Sequence, residues 1–192
     1  MRILTSILLS ASISLAACNN SDKETREVKT DTTGTAAVAP TDTLPDKPAA
    51  NPDIIVQQYL AVKNSLAADD GTGAANASRD MMPALAALVQ APLSEDQRHT
   101  FMDLKDDLTE HAEHISTNAT NIAHQREHFQ MLSKDMLDLV KVFPHAQPLY
   151  KVNCPMYNKG KGADWISEFK EIKNPYLGKS MLTCGSVKET LK

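Results

Sequence analysis

Between residues 51 and 143, apolar side chains recur at the three-and-four spacing of one helical face. Capping and breaking residues divide the stretch into four segments. Asn51 followed by Pro52 reads as an N-cap with proline at the first helical position. Ile55, Tyr59, Val62 and Leu66 form the apolar face of that first helix, and Asp69-Asp70-Gly71 is expected to stop it. A second, Ala-rich helix is expected from about Ala74 to Val89, with Met81, Met82, Leu85 and Leu88 apolar. Pro83 inside it should kink the helix or mark its true start. Ser94-x-x-Gln97 has the form of a capping box and opens a third helix, with Phe101, Leu104, Leu108, Ala112 and Ile115 on one face. After a polar turn at Thr117 to Thr120, the fourth helix buries Ile122, Phe129, Leu132, Met136, Leu139, Val140 and Phe143, and Pro144 ends it. Short connections between amphipathic helices make consecutive helices antiparallel neighbours. The expected fold class is therefore mainly α, an antiparallel four-helix bundle.

Beyond Pro144 the pattern changes. Gly, Pro and Asn become frequent and the apolar spacing shortens, so short strands and turns are expected. Leu149-Tyr150-Lys151-Val152 alternates like a strand leading to Cys154, and Met181 to Cys184 reads as a second strand. Trp165, Ile166, Phe169 and Ile172 fit a short amphipathic helix. Asn158 to Gly162 lacks the Gly-x-x-x-x-Gly-Lys-Ser/Thr form of a phosphate loop and is read as a turn. A small irregular module with short strands thus completes one folded domain over residues 51–187, leaving 188–192 as a tail.

The chain ahead of the bundle has a different character. Met1-Arg2 followed by an apolar, Ser-containing run from Ile3 to Ala17 has the form of a secretory signal, too short and interrupted for a membrane span. Its end, Leu15-Ala16-Ala17-Cys18, resembles the bacterial lipobox, in which the signal is cut before a cysteine that is then lipidated. Residues 1–17 are accordingly expected to be a lipoprotein signal peptide and Cys18 the lipidation site. Residues 18–50, rich in Asn, Ser, Thr, Asp, Pro and Ala, are expected to be a disordered tether, because they offer too little apolar surface to offset ordering entropy. This places the domain in the cell envelope, facing the periplasm and held to a membrane through lipid. The net charge of -4, with both signs mixed, offers no basic stripe for nucleic acid and no acidic block for calcium.

That placement governs the sulfur chemistry. Of three cysteines, Cys18 is taken by lipid, which leaves Cys154 and Cys184 in a compartment that permits disulfides. Met156 and Met181 flank them, and thiolate with thioether is a soft donor set that selects copper(I) or silver over hard ions. The same two cysteines can instead close a disulfide around a loop of about 30 residues, worth about 3–4 kcal/mol, in which case no metal is implied. The Met81–Met82 pair, in an Ala/Leu helix, reads as core filler.

A second donor set lies on the helices. His111 and His114 fall late in the third helix, His124 and His128 early in the fourth, all within about two turns of the connection. All four lie on the same rotational side of their helix's apolar stripe, so they face the shared seam together or turn away together. Facing inward, they form a nitrogen site for Cu(II) or Zn; facing outward, they are polar residues on a wet surface. No residue has the local context of a catalytic nucleophile, Cys154 and Ser133 included, so no catalytic residue is assigned and no enzyme is expected.

Cys-Pro-Met at 154–156, Gly-x-x-Trp at 162–165, Glu-Ile-x-Asn-Pro-Tyr-x-Gly at 171–178, Met181 and Cys184-Gly185 carry a family resemblance. With Gln125-Arg126-x-x-Phe129-x-x-x-Ser133, they resemble a family of unknown-function domains found in Bacteroidetes-type envelope lipoproteins and at the C-terminus of copper/silver efflux adaptors of the CusB type. Tyr157 stands where that family commonly has Ala. The resemblance implies a heavy-metal role in efflux or resistance, with an efflux adaptor or pump as partner. Without a metal, the same chain reads as a non-enzymatic protein-interaction domain with a structural Cys154–Cys184 disulfide.

Overall fold

Each of the four long helices starts where a side chain satisfies backbone donors that the first turn leaves free. Asn51 accepts from the backbone N–H of Asp53 at 2.9 Å and Asp70 from that of Gly73 at 2.8 Å. Ser94 and Gln97 make both bonds of the capping box, at 3.3 and 3.1 Å, and Asn121 accepts from the N–H of His124 at 3.2 Å. The resulting helices are α1 (Pro52–Ala67), α2 (Gly71–Leu88), α3 (Glu95–Thr117) and α4 (Ile122–Val142). Three strands follow: β1 (Leu149–Cys154), β2 (Ala163–Ser167) and β3 (Ser186–Leu191). The structure is a computed structural model, and it describes residues 51–191. The expected signal peptide, Cys18 and tether lie outside the described residues.

Consecutive helices pack side by side, and Ile55, Tyr59, Leu66, Met81, Leu88, Phe101, Leu108, Ile115 and Phe129 are sealed between them. The sheet has order β2-β1-β3 and is antiparallel throughout, so β1 is central. β2 lies against α4 and touches α1, filling the side where those two helices meet least. A chain of rings holds it there. Tyr59 stacks on Phe129 with centroids 5.2 Å apart, Phe129 meets Tyr176 at 5.6 Å, and Tyr176 meets the fully buried Trp165 edge-on at 5.8 Å. Tyr59 also accepts the Ile166 N–H at 3.0 Å and shares a 2.8 Å bond with Ser133, so both hydroxyls are satisfied in the core. Ser133 is thus a packing residue, and Met81 is core as expected.

Several details differ from the sequence reading. Asp70 caps α2 as well as following α1, so α2 begins at Gly71 rather than near Ala74. Pro83 sits inside a continuous α2 and does not mark its start; the helix forgoes one backbone bond there. Trp165 and Ile166 lie on β2, not on a helix, pairing with Val152 and Lys151 of β1. Met181 to Cys184 is a turn, and the third strand is β3, which reaches into residues expected to be tail. Only Leu191 of β3 is buried; the strand is held by backbone pairing to β1, which a hydrophobic pattern does not report.

One knot ties the two parts together. Arg126 on α4 donates to the carbonyls of Pro175 at 2.8 Å and Leu66 at 2.9 Å and to the Asp69 carboxylate at 2.5 Å. Asp69 also takes the Lys179 N–H at 3.1 Å. Gly178 passes over this knot at φ +55, and a Cβ there would run into Asp69 and Arg126. The guanidinium beside Asp69 holds its carboxyl below the usual carboxylate range.

Candidate metal centre

The α3–α4 connection places His111 and His114 opposite His128 and His124, and all four rings meet in the seam between the two helices. His114, His124 and His128 each present a ring nitrogen, the three lying within 4.8 Å of one another. The rings of His114 and His128 are stacked nearly parallel with centroids 4.1 Å apart, and His124 meets His128 edge-on at 4.5 Å. His111 joins from one turn earlier on α3, its Nδ1 3.3 Å from Nδ1 of His128. His128 is buried and the other three are half-buried, so the cluster has an inner wall and an open side.

Burial and the neighbouring His114, His124 and His111 push the His128 imidazolium down to a pKa of about 4 from an ordinary 6.5, in that order of effect, with Glu110 opposing. His128 is therefore neutral at physiological pH, which is the form that ligates metals. Three imidazole nitrogens around one ion at about 2.0–2.1 Å lie about 3.3 Å apart in tetrahedral geometry, so closing on an ion requires ring rotations on the order of 1 Å. Two contacts would orient the ligands. His124 Nδ1 lies 3.4 Å from Glu127 Oε2, which leaves Nε2 for a metal, and His111 can hold His128 in the same way through its Nδ1. Asp135 is buried one to two turns further along α4. Burial raises its carboxyl, His111 pulls it down and Asp107 pushes it up.

The sulfur residues divide. Cys154 ends β1 and is buried; Cys184 sits in the turn before β3 and is half-buried; their Sγ atoms are 3.2 Å apart and unbonded. Met156 is 56% exposed and Met181 39% exposed, at the surface beside the pair in sequence. Burial alone would raise the Cys154 thiol. Hydrogen bonds from Cys184, the Met156 N–H, the Asn174 side chain and the Tyr157 N–H outweigh it, and the thiol ends below its ordinary value. Cys184, donating to Cys154, is raised and keeps its proton. Asn174, quoted in the sequence reading only as part of a motif, is the organiser. Fully buried, it donates to the Cys184 carbonyl at 2.6 Å and accepts the N–H groups of Tyr176 and Leu177 at 2.8 and 3.0 Å. The sequence signal was the Asn-Pro-Tyr motif itself, which reads first as a turn.

Residues 55–147 match the model of a family described as "Protein of unknown function (DUF3347)". The match begins within the first turn of α1, takes in α2 to α4 and the four histidines, and stops short of Cys154. Comparisons with curated proteins and with solved structures gave no match.

Proposed function

We propose that this chain is an envelope lipoprotein whose folded domain binds copper, in the service of heavy-metal efflux or resistance. One observation carries the metal reading: three imidazole nitrogens within 4.8 Å of one another, on facing helices, with a fourth imidazole bonded to the innermost. Imidazole suits Cu(II) and Zn, and Cu(II) stands highest in the general affinity order of divalent metals. Copper is favoured over zinc because the domain also carries a thiol pair, and the second oxidation state of copper, like silver, takes sulfur. Ligands on a hairpin end, all but the buried His128 half-exposed, suit uptake and hand-over to an adaptor or pump better than catalysis, since an ion held there stays reachable. Support for the location comes from the Leu15-Ala16-Ala17-Cys18 tetrapeptide after its apolar run. Among the described residues, no helix is long and apolar enough to cross a membrane.

Calorimetric titration with Cu(II), on protein whose Cys154–Cys184 pair is first oxidised so that the thiols do not reduce the ion, is expected to show one tight site per chain. A His114→Ala/His128→Ala double variant should lose it, and His111→Ala should weaken it about 10–100-fold, as loss of an orienting partner does. Binding unchanged by the double variant would overturn the proposal.

A second reading rests on the 3.2 Å approach of Cys154 and Cys184. If the pair is bridged in the envelope, it staples the loop that carries Asn174 and Tyr176 to β1, and the domain serves as an interaction module.

A further inference from the structure

The cysteine pair is built differently from a staple waiting to close. One sulfur is fixed and buried at the end of the central strand; the other rides a half-exposed turn. The two Sγ atoms stand 3.2 Å apart and are not joined, and the buried Asn174 holds the second cysteine by donating to its carbonyl at 2.6 Å. Two soft donors at that separation, one of them reachable from solvent, make a chelating pair for a thiophilic ion. Gly185 keeps the second sulfur in place. It turns at φ +145, where a Cβ would press on Trp165 and the Asn153 carbonyl, so the chain after Cys184 lies tight against β1 and β2.

We infer that the reduced Cys154–Cys184 pair is a second metal site, distinct from the histidine cluster, that takes a monovalent thiophilic ion, Cu(I) or Ag(I), between its two sulfurs. As the ion enters, two S–metal bonds form, and each sulfur that still carries a proton breaks its S–H bond and releases that proton to solvent. Two bonds of about 2.3 Å at an angle of 120° or wider hold sulfurs about 4 Å apart or more. The pair must therefore spread from 3.2 Å, and the half-exposed Cys184 turn is the side able to move. Met156 and Met181, exposed, are not required as ligands; they present thioethers at the protein surface. The site stands on its own geometry and does not depend on the histidine centre.

Silver(I) is the probe, because it is not reduced or oxidised by the thiols and prefers sulfur to imidazole. The full chain carrying Cys18→Ser is reduced, loaded with Ag(I) and desalted; bound silver is counted and Cys154 and Cys184 are mapped by alkylation. One retained Ag(I) per chain, with both cysteines protected, is expected. Retention should persist in the His114→Ala/His128→Ala variant. It should fall at least 100-fold in affinity for Cys184→Ser, and vanish when the wild-type pair is first oxidised with an azodicarboxamide. The oxidised wild-type arm keeps the test valid should Cys184→Ser fold poorly. Silver held equally by oxidised and reduced protein, or bound with both thiols still alkylated at full rate, overturns the proposal. Loss of silver only in the histidine variant would also overturn it, and would leave the histidine centre standing.

Discussion

His128 shows how one side chain acquires a role from its surroundings. Its burial and three neighbouring imidazoles depress its basicity to a pKa of about 4, while in the unfolded chain it titrates near 6.5. Between those values the unfolded chain binds a proton that the folded chain refuses, so stability falls as pH drops from about 6.5 toward 4 and is flat above. The groups facing it are Glu110, His111 and His114 from α3 and His124 from its own helix. Asp69 and Glu168, both held below their ordinary values, lose their contribution only at lower pH, as it falls through their depressed range, while Asp135, raised by burial, works in the opposite direction to His128 as pH falls. Thermal melts of the metal-free protein should therefore show a drop in Tm between pH 6.5 and 4.5, and His128→Gln should flatten it. A variant whose Tm falls as steeply as that of the wild type over this window would show that His128 is not the group responsible.

At the scale of elements, the question is what joins the helices to the sheet. The Arg126–Asp69 knot gathers the end of α1, the start of α4 and the 175–179 loop, and Gly178 is the position that lets the loop close over it. Gly178→Ala meets both a left-handed backbone and a clash with Asp69 and Arg126, and should cost about 2–4 kcal/mol. Gly160→Ala, at φ +81 with open space around its would-be Cβ, carries only the backbone cost of about 1–2 kcal/mol. Denaturant unfolding of the two variants separates the terms; equal losses would mean that the knot gives way without cost.

The same elements show what the chain discloses on its own. Asn51-Pro52 and Ser94-x-x-Gln97 are local signals, satisfied within four residues, and each opens a helix where expected. Trp165, Ile166, Phe169 and Ile172 have a helix-like spacing, but pairing of Trp165 and Ile166 with Val152 and Lys151, 13 and 15 residues away, overrides it and makes β2. β3 is exposed along nearly its whole length and exists because β1 has a free edge to complete.

For the molecule as a whole, periodicity placed the four histidines on one side but left open whether that side was wet or shared. Packing of α3 on α4 through Ala112, Ile115 and Phe129 closes that question, because the rings flank those contacts. The two sulfurs are brought together by the sheet and by Asn174, a long-range arrangement of which the spacing of Cys154 and Cys184 gave no measure. Two donor sets of different softness then stand in one domain: imidazoles in a helical seam and thiols beside a strand end. A copper carrier that meets both oxidation states of its cargo would use such a division, with Cu(II) on nitrogen and Cu(I) on sulfur.

X-ray absorption at the copper edge of the Cu(II)-loaded protein, with Cys154 and Cys184 first oxidised, tests this most directly, because it reads the ligand atoms themselves. The account predicts a first shell of three or four imidazole nitrogens at about 2.0 Å and no sulfur. A sulfur shell in the Cu(II) form, or a shell of oxygen with at most one imidazole, would contradict it.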